Sequence, residues 1–241
     1  MTLLTGVART ASRALGGLTL DASNGLARIT EAAGAAISGE TIGPATLRVQ
    51  VVILSDENGQ PLTTPAAMTQ SIDRAGQVLG TEAGIRVRLV GTLVIGEPAP
   101  ARALDPRSNR LLLLDDVLGR TEFYRRHSAP VDISTAVVGA PVTVIVVRNI
   151  AGRVTGCSLG ISADWVIVQA SLFDRYRGNT YDETVLVHEL GHALNLPHHR
   201  NRQNLMSPTS SPPGQLRGTA LVGWQKAILH ANRHLVPGMS H

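Results

Sequence analysis

The stretch "HELGHALNLPHH" (188–199) gathers four of the chain's eight histidines around the last acidic residue of the chain. On an α-helix, His188 and His192 lie about 40° apart with roughly 6 Å of rise, a spacing that suits two ligands of one ion. Glu189 falls about 100° round from His188, beside such an ion rather than on it. A helix running straight on would carry His198 roughly 9 Å past His192 and about 240° round, out of reach. The chain therefore has to reverse, and it holds the means to do so. Asn195 readily accepts a left-handed conformation. Pro197 cannot continue a helix and presses Leu196 toward an extended shape. A reversal at Asn195 brings His198 back to the first two histidines, with His199 as the near competitor.

Three neutral imidazoles leave the fourth position of a tetrahedral zinc ion open to water, the arrangement of a catalytic site. Zinc acidifies that water and polarises a substrate carbonyl. Glu189 can take the proton during attack and pass it to a leaving amine, so the expected reaction is peptide-bond hydrolysis. No Asp or Glu occurs after Glu189. No candidate for a downstream carboxylate ligand is thus in hand, so the third ligand is a histidine or comes from before the helix, and His198 is the preferred choice.

These residues need a rigid floor. "LRVQVVIL" (47–54), "IRVRLVGTLVI" (85–95), "PVTVIVVRNI" (141–150) and "DWVIVQAS" (164–171) read as strands, with "GCSLG" as a short edge strand. The third is nearly all apolar, as a strand buried on both faces should be. Thr64-Pro65 opens a helix whose apolar residues are Met68, Ile72, Ala75, Val78 and Leu79. Residues 96–140 read as irregular apart from a short helix within 110–126. Thr180 and Glu183 form a capping-box signature for the motif helix, which Leu186, Leu190, Ala193 and Leu194 pack down. The expected class is α+β: a mixed, mostly parallel twisted sheet with an active-site helix and a C-terminal helix, over residues 44–241. Residues 1–43 read as one or two short amphipathic helices and a linker outside the core, with Leu4, Val7, Ala8, Ala11 and Leu15 at helical spacing. A propeptide, an interaction segment and a helical cap are the readings open to them.

"HELGHALNLPH" is similar to the zinc-binding signature of the metzincin peptidases, HExxHxxGxxH, and "NLMSP" (204–208) resembles the Met-turn that follows it. Asn195 stands where the family has glycine. The resemblance implies a zinc-dependent endopeptidase, with Met206 as the apolar base beneath His188, His192 and His198. The "MSP" sequence resembles the matrixin-like branch, which implies that Pro208 walls a substrate pocket. An extended peptide would bind antiparallel to an edge strand near 155–162, with Leu190 and residues 207–213 lining its pocket. A monomeric state is expected and the resemblance implies secretion, but location is otherwise open because "MTLLTGVARTASRALGG" is no clear signal peptide, Arg9 and Arg13 interrupting the apolar region. The N-terminal segment holds no cysteine for a thiolate latency switch.

Other classes fare worse. The pI is about 10.0 but the net charge is only +4 and aromatics are 3% of residues, so there is no stacking platform for nucleic acid. No apolar run reaches the ~20 residues of a transmembrane helix. Cys157 reads as a buried small residue. His127, His230, His234 and His241 read as surface or helix-end histidines, and no loop motif marks a structural calcium site. Two alternatives to the peptidase stand. One is a zinc-stabilised binding protein without turnover, against which the intact Glu189 speaks. The other is a zinc amidase acting on a small non-protein amide.

Overall fold

The structure, a computed structural model, describes residues 3–38, 43–98, 117–119, 121–128, 139–150, 156–158, 164–173, 183–208, 217–236 and 238. Among the described residues, six strands form one sheet: β1 (Ala45–Leu54), β2 (Ile85–Ile95), β3 (Val142–Val147), β4 (Gly156–Ser158), β5 (Trp165–Gln169) and β6 (Leu235–Val236). Their order is β2-β1-β3-β5-β4. Strands β1, β2, β3 and β5 run parallel, and β4 lies antiparallel to β5. Strand β6 adds an antiparallel rung beside Thr46 and Leu47 of β1. The mixed, mostly parallel sheet of the sequence reading is thus observed.

Alternation along the strands divides the core into two layers. Leu47, Val49, Val51 and Ile53 of β1, with Val144 of β3 and Val166 and Val168 of β5, face α2 (Pro65–Ala83), α4 (Val185–Ala193) and α5 (Gly223–Ala231). Val52, Leu54, Ile145, Val147, Trp165 and Ile167 face the opposite way, against Phe123 and Tyr124 of α3 (Glu122–His127). Every residue of β3 is buried. Helix α2 begins as its sequence directs: Thr64 Oγ1 accepts from Ala67 N at 3.2 Å, with Pro65 in the first turn. Cys157 is buried in the second layer.

One helix boundary differs from expectation. Helix α4 starts at Val185, where Val185, Leu186 and Val187 become buried, so core packing rather than a side-chain cap sets its start. Glu183 precedes the helix and instead pairs with Arg74 of α2 at 3.1 Å; Thr180 lies outside the described residues. The C-terminal helix ends at Ala231 because Asn232 is extended, and its Oδ1 accepts from His234 N at 3.0 Å to turn the chain into β6.

Residues Leu3–Ser38 form one helix of 36 residues, α1, in place of one or two short ones. It contributes nothing to either apolar cluster. Hydrogen bonds hold it instead. Asn24 Nδ2 donates to Asn232 O at 2.8 Å, and Arg233 N donates to Asp21 Oδ1 at 2.7 Å. The apolar residues Leu4, Val7 and Leu15, which an amphipathic helix would bury, face solvent.

Arg233 continues inward from Asp21 to Asp164, at 2.7 Å, and the buried His234 lies 3.3 Å from the same carboxylate. Burial works against a charge on Asp164, but His234 and Arg233 outweigh it and hold the carboxyl down at about 2. A carboxyl depressed in the folded state stabilises above its unfolded value, about 3.9, and loses that contribution as pH falls toward the folded one. Asp164→Asn should therefore lower stability near neutral pH, and its difference from the parent should vanish between about pH 4 and 2. Urea unfolding followed across pH measures this.

Candidate metal centre

The reversal required by the spacing is present. Asn195 has φ +68°, the one positive φ outside glycine among the described residues. Asn195 N donates to His192 O at 3.0 Å and Leu196 N to Gly191 O at 2.9 Å. These two bonds make a Schellman C-cap, with Leu196 buried behind it. The Asn195 side chain is used as well, its Nδ2 donating to Asp21 Oδ2 of α1 at 2.7 Å. A glycine there would turn as easily but could not make that bond.

Beyond the turn the chain brings His198 back. One ring nitrogen from each of His188, His192 and His198 lies within 4.8 Å of the others. Nε2 of His192 and Nε2 of His198 are 3.0 Å apart. Two ligands of a tetrahedral zinc at 2.0–2.1 Å are separated by about 3.3 Å, so the cluster is of the right size. Nδ1 of His188 donates to Leu205 O at 2.8 Å and Nδ1 of His192 to Leu196 O at 2.7 Å. Each bond fixes the ring and leaves Nε2 unprotonated toward the cluster, the support that metal-binding imidazoles need. Burial first, and then the charge of Arg217, lowers His188 to about 2; burial and His198 lower His192 to about 4. His198 is shifted the same way by burial. All three are thus held neutral, the form that binds a cation. His188 is buried, His192 intermediate and His198 exposed, so the cluster opens to solvent on one side.

His199 goes elsewhere. Its N–H donates to Met206 O at 2.8 Å, its Nδ1 accepts from Asn201 N at 3.2 Å, and its ring lies 6.4 Å from Trp224. It therefore stands outside the cluster.

Met206 sits in a tight turn in which Ser207 N donates to Asn204 O at 3.1 Å and Met206 N to Asn204 Oδ1 at 2.9 Å. A paired amide contact between Asn204 and Gln225 of α5 pins this turn, at 2.7 and 3.2 Å. Support passes from Gln225 through the turn to Leu205 O and so to His188. Fully buried, Met206 reaches α4 where Gly191 leaves room: a Cβ on Gly191 would fall 2.6 Å from Met206 Sδ. Gly191→Ala would gain about 1 kcal/mol of helix propensity, but overpacking costs about 1–3 kcal/mol. A net loss of stability is expected, read as a lower urea midpoint.

Glu189 is buried beside β4. A Cβ on Gly156 would come within 2.5 Å of Glu189 Oε1, so this glycine makes room for the carboxylate. Among the described residues, Oε2 of Glu189 has no hydrogen-bond partner. Burial pushes the carboxyl up to about 8, against the opposing charge of Arg217. Arg217 is itself buried, and its Nη1 donates to Ser207 O at 3.0 Å. Its cation acts on Glu189 and on all three clustered histidines.

Gly156, Gly191, Asn204, Arg217 and Gln225 were not marked by sequence reasoning. The one signal that could have found two of them is a lone glycine inside a strand or helix, a sign of close backbone approach. Leu190, expected to line a substrate pocket, is fully buried in the main core, and Pro208 is exposed. Among the described residues, the other histidines are apart from the cluster. His127 lies 3.5 Å from Glu97, and His230 lies 2.7 Å from Ala83 O. His234 corrects the surface expectation, being fully buried with Nδ1 donating to Ala140 O at 2.8 Å. His241 lies outside the described residues.

Comparison with family models and with curated proteins gives no match. Among solved structures, the chain is similar to metalloproteinase-II from Bacteroides fragilis, at 17% identity and TM-score 0.48 over 77% of this chain and 52% of that one. It is also similar to archaemetzincin from Methanopyrus kandleri, at 16% identity and TM-score 0.44 over 76% and 93% of the two chains. A chain in a chaperone–substrate complex matches at 12% identity and TM-score 0.50, over 80% of this chain and 35% of that one. This chain thus spans about half of the Bacteroides protein and about a third of the chain in the complex. Likenesses at these identities concern fold alone, and any functional reading rests on the residues of the site.

Proposed function

We propose that the chain is a zinc-dependent endopeptidase whose catalytic unit is residues 44–241. One observation carries the reading: three imidazoles converge with two of their Nδ1 protons committed to backbone carbonyls, next to a buried glutamate. A purely structural zinc site needs no such glutamate. His188, His192 and His198 would hold the ion, in the manner of the metzincin peptidases that the motif resembles. When bound, zinc supplies Lewis-acid polarisation of a carbonyl and acidifies water.

The chain's own residues supply the rest. Glu189 accepts a proton from the attacking water and returns it to the leaving amine. The charge of Arg217 favours the carboxylate form that this first transfer requires. Met206 and the Asn204–Gln225 pair keep His188 in place from below. Strand β4 ends the sheet, and its outer edge is unpaired among the described residues. An extended peptide added antiparallel to that edge would run past Gly156 and Glu189, with backbone hydrogen bonds setting its register. In this reading Pro208, which is exposed, would wall the substrate pocket as the resemblance implies, and Leu190 would support it only from the core.

Digestion of a peptide library with and without a chelator tests the reading. Cleavage within peptides that the chelator stops and zinc restores is expected. Zinc uptake with no cleavage of any peptide would leave a binding protein instead.

A further inference from the structure

Helix α1 docks onto the body through small and polar residues and leaves an apolar stripe in solvent. Leu4, Val7, Leu15, Leu18, Leu26 and Ile29 are between 47% and 82% exposed, and Ala11 and Ala22 complete the stripe. Successive members are spaced 3, 4, 4, 3, 4, 4 and 3 residues apart. An 11-residue period of this kind keeps a seam nearly straight along a helix. The stripe lies about 120° round from the face that carries Gly6, Thr10, Gly17, Asp21 and Asn24. Between residues 4 and 30, the charged residues Arg9, Arg13, Asp21 and Arg28 are all buried or half-buried, so no charge stands on the exposed face.

The stripe also reads the same in both directions about its centre at Gly16-Gly17. Reversal places Leu4 opposite Ile29 and Val7 opposite Leu26. It places Ala11 opposite Ala22 and Leu15 opposite Leu18. Large thus meets large, and small meets small. In an antiparallel pair about a two-fold axis at this centre, each position of one helix meets its mirror position on the other, so this spacing gives every stripe residue a stripe residue as its partner. Antiparallel pairing also sets the helix dipoles head to tail. From its exposures the stripe offers roughly 700 Å² per copy, close to the ~800 Å² per partner of a standard interface. A membrane surface is the poorer occupant, because interfacial helices carry Lys or Arg beside the apolar face, and here the arginines turn toward the body.

We propose that two copies of this chain associate through α1, antiparallel, with the two-fold axis at Gly16-Gly17. Expected is a homodimer in which Leu15 of each copy packs on Leu18 of the other.

Sedimentation equilibrium of the full chain tests this. The parent should show twice the 25.5 kDa chain mass. Leu15→Glu, at a 65% exposed position where folding is not at stake, should show a single chain mass. Adding Leu18→Lys to Leu15→Glu should restore the dimer, because only antiparallel pairing sets the new opposite charges against each other. A monomeric parent at every concentration overturns the proposal, as does a Leu15→Glu chain that still dimerises. A double variant that remains monomeric overturns the antiparallel register. A monomeric parent that floats with neutral phosphatidylcholine vesicles overturns it too, and gives the face to lipid.

Discussion

Glu189→Gln is expected to leave zinc uptake unchanged and to lower peptide cleavage by about 10³-fold, within the 10²–10⁴ range of general acid–base groups. Glutamine fills the same space against Gly156, so the α4–β4 contact survives. It cannot take a proton. The carboxyl is buried, has no hydrogen-bond partner on Oε2 among the described residues, and is pushed up to about 8 by burial. A cation beside it favours the ionised form, so metal binding and activation of the base are coupled. Glutamine breaks only the second of these. Measured zinc stoichiometry and kcat separate the two effects. Cleavage undiminished in Glu189→Gln would remove this residue from the reaction.

His198→Ala against His199→Ala should give the sharpest contrast in metal affinity. With His198 removed, two imidazoles remain, and zinc affinity should fall by at least 10²-fold. His199→Ala should change affinity by less than about threefold, because its ring is engaged with Asn201 N and Trp224, away from the cluster. Competition with a chromophoric chelator at fixed pH reads both. Equal losses would contradict the ligand set. The pH must be held, since the cluster binds a cation only while its imidazoles are neutral.

Much of this centre was legible because its signals are local. Asn195 followed by Leu196-Pro197 announces a reversal on steric grounds, and φ +68° at Asn195 answers it. Thr64-Pro65 announces the start of α2 for the same kind of reason. The unbroken apolar run of β3 marks a strand with core on both sides. What stayed hidden depends on contacts made across long stretches of chain. Arg217 looks like any other arginine until the fold buries it near Glu189. Gln225 has no motif, yet it holds Asn204 and thereby the carbonyl that fixes His188. The capping pattern at Thr180 and Glu183 misled because a local hydrogen-bond preference yielded to burial of Val185 and Leu186. Helix α1 showed its apolar periodicity plainly, but periodicity cannot say whether core or solvent receives the stripe. Asp21 and Asn24 decided that, by hydrogen bonds to residues more than 200 positions away.

The central claim is that one zinc ion sits among His188, His192 and His198. Anomalous diffraction at the zinc edge from crystals of the zinc-loaded chain tests it most directly. One peak is predicted, about 2.0–2.1 Å from a ring nitrogen of each of the three. A peak held by His199 in place of His198, or none at the cluster in a chain shown to bind zinc, would contradict it.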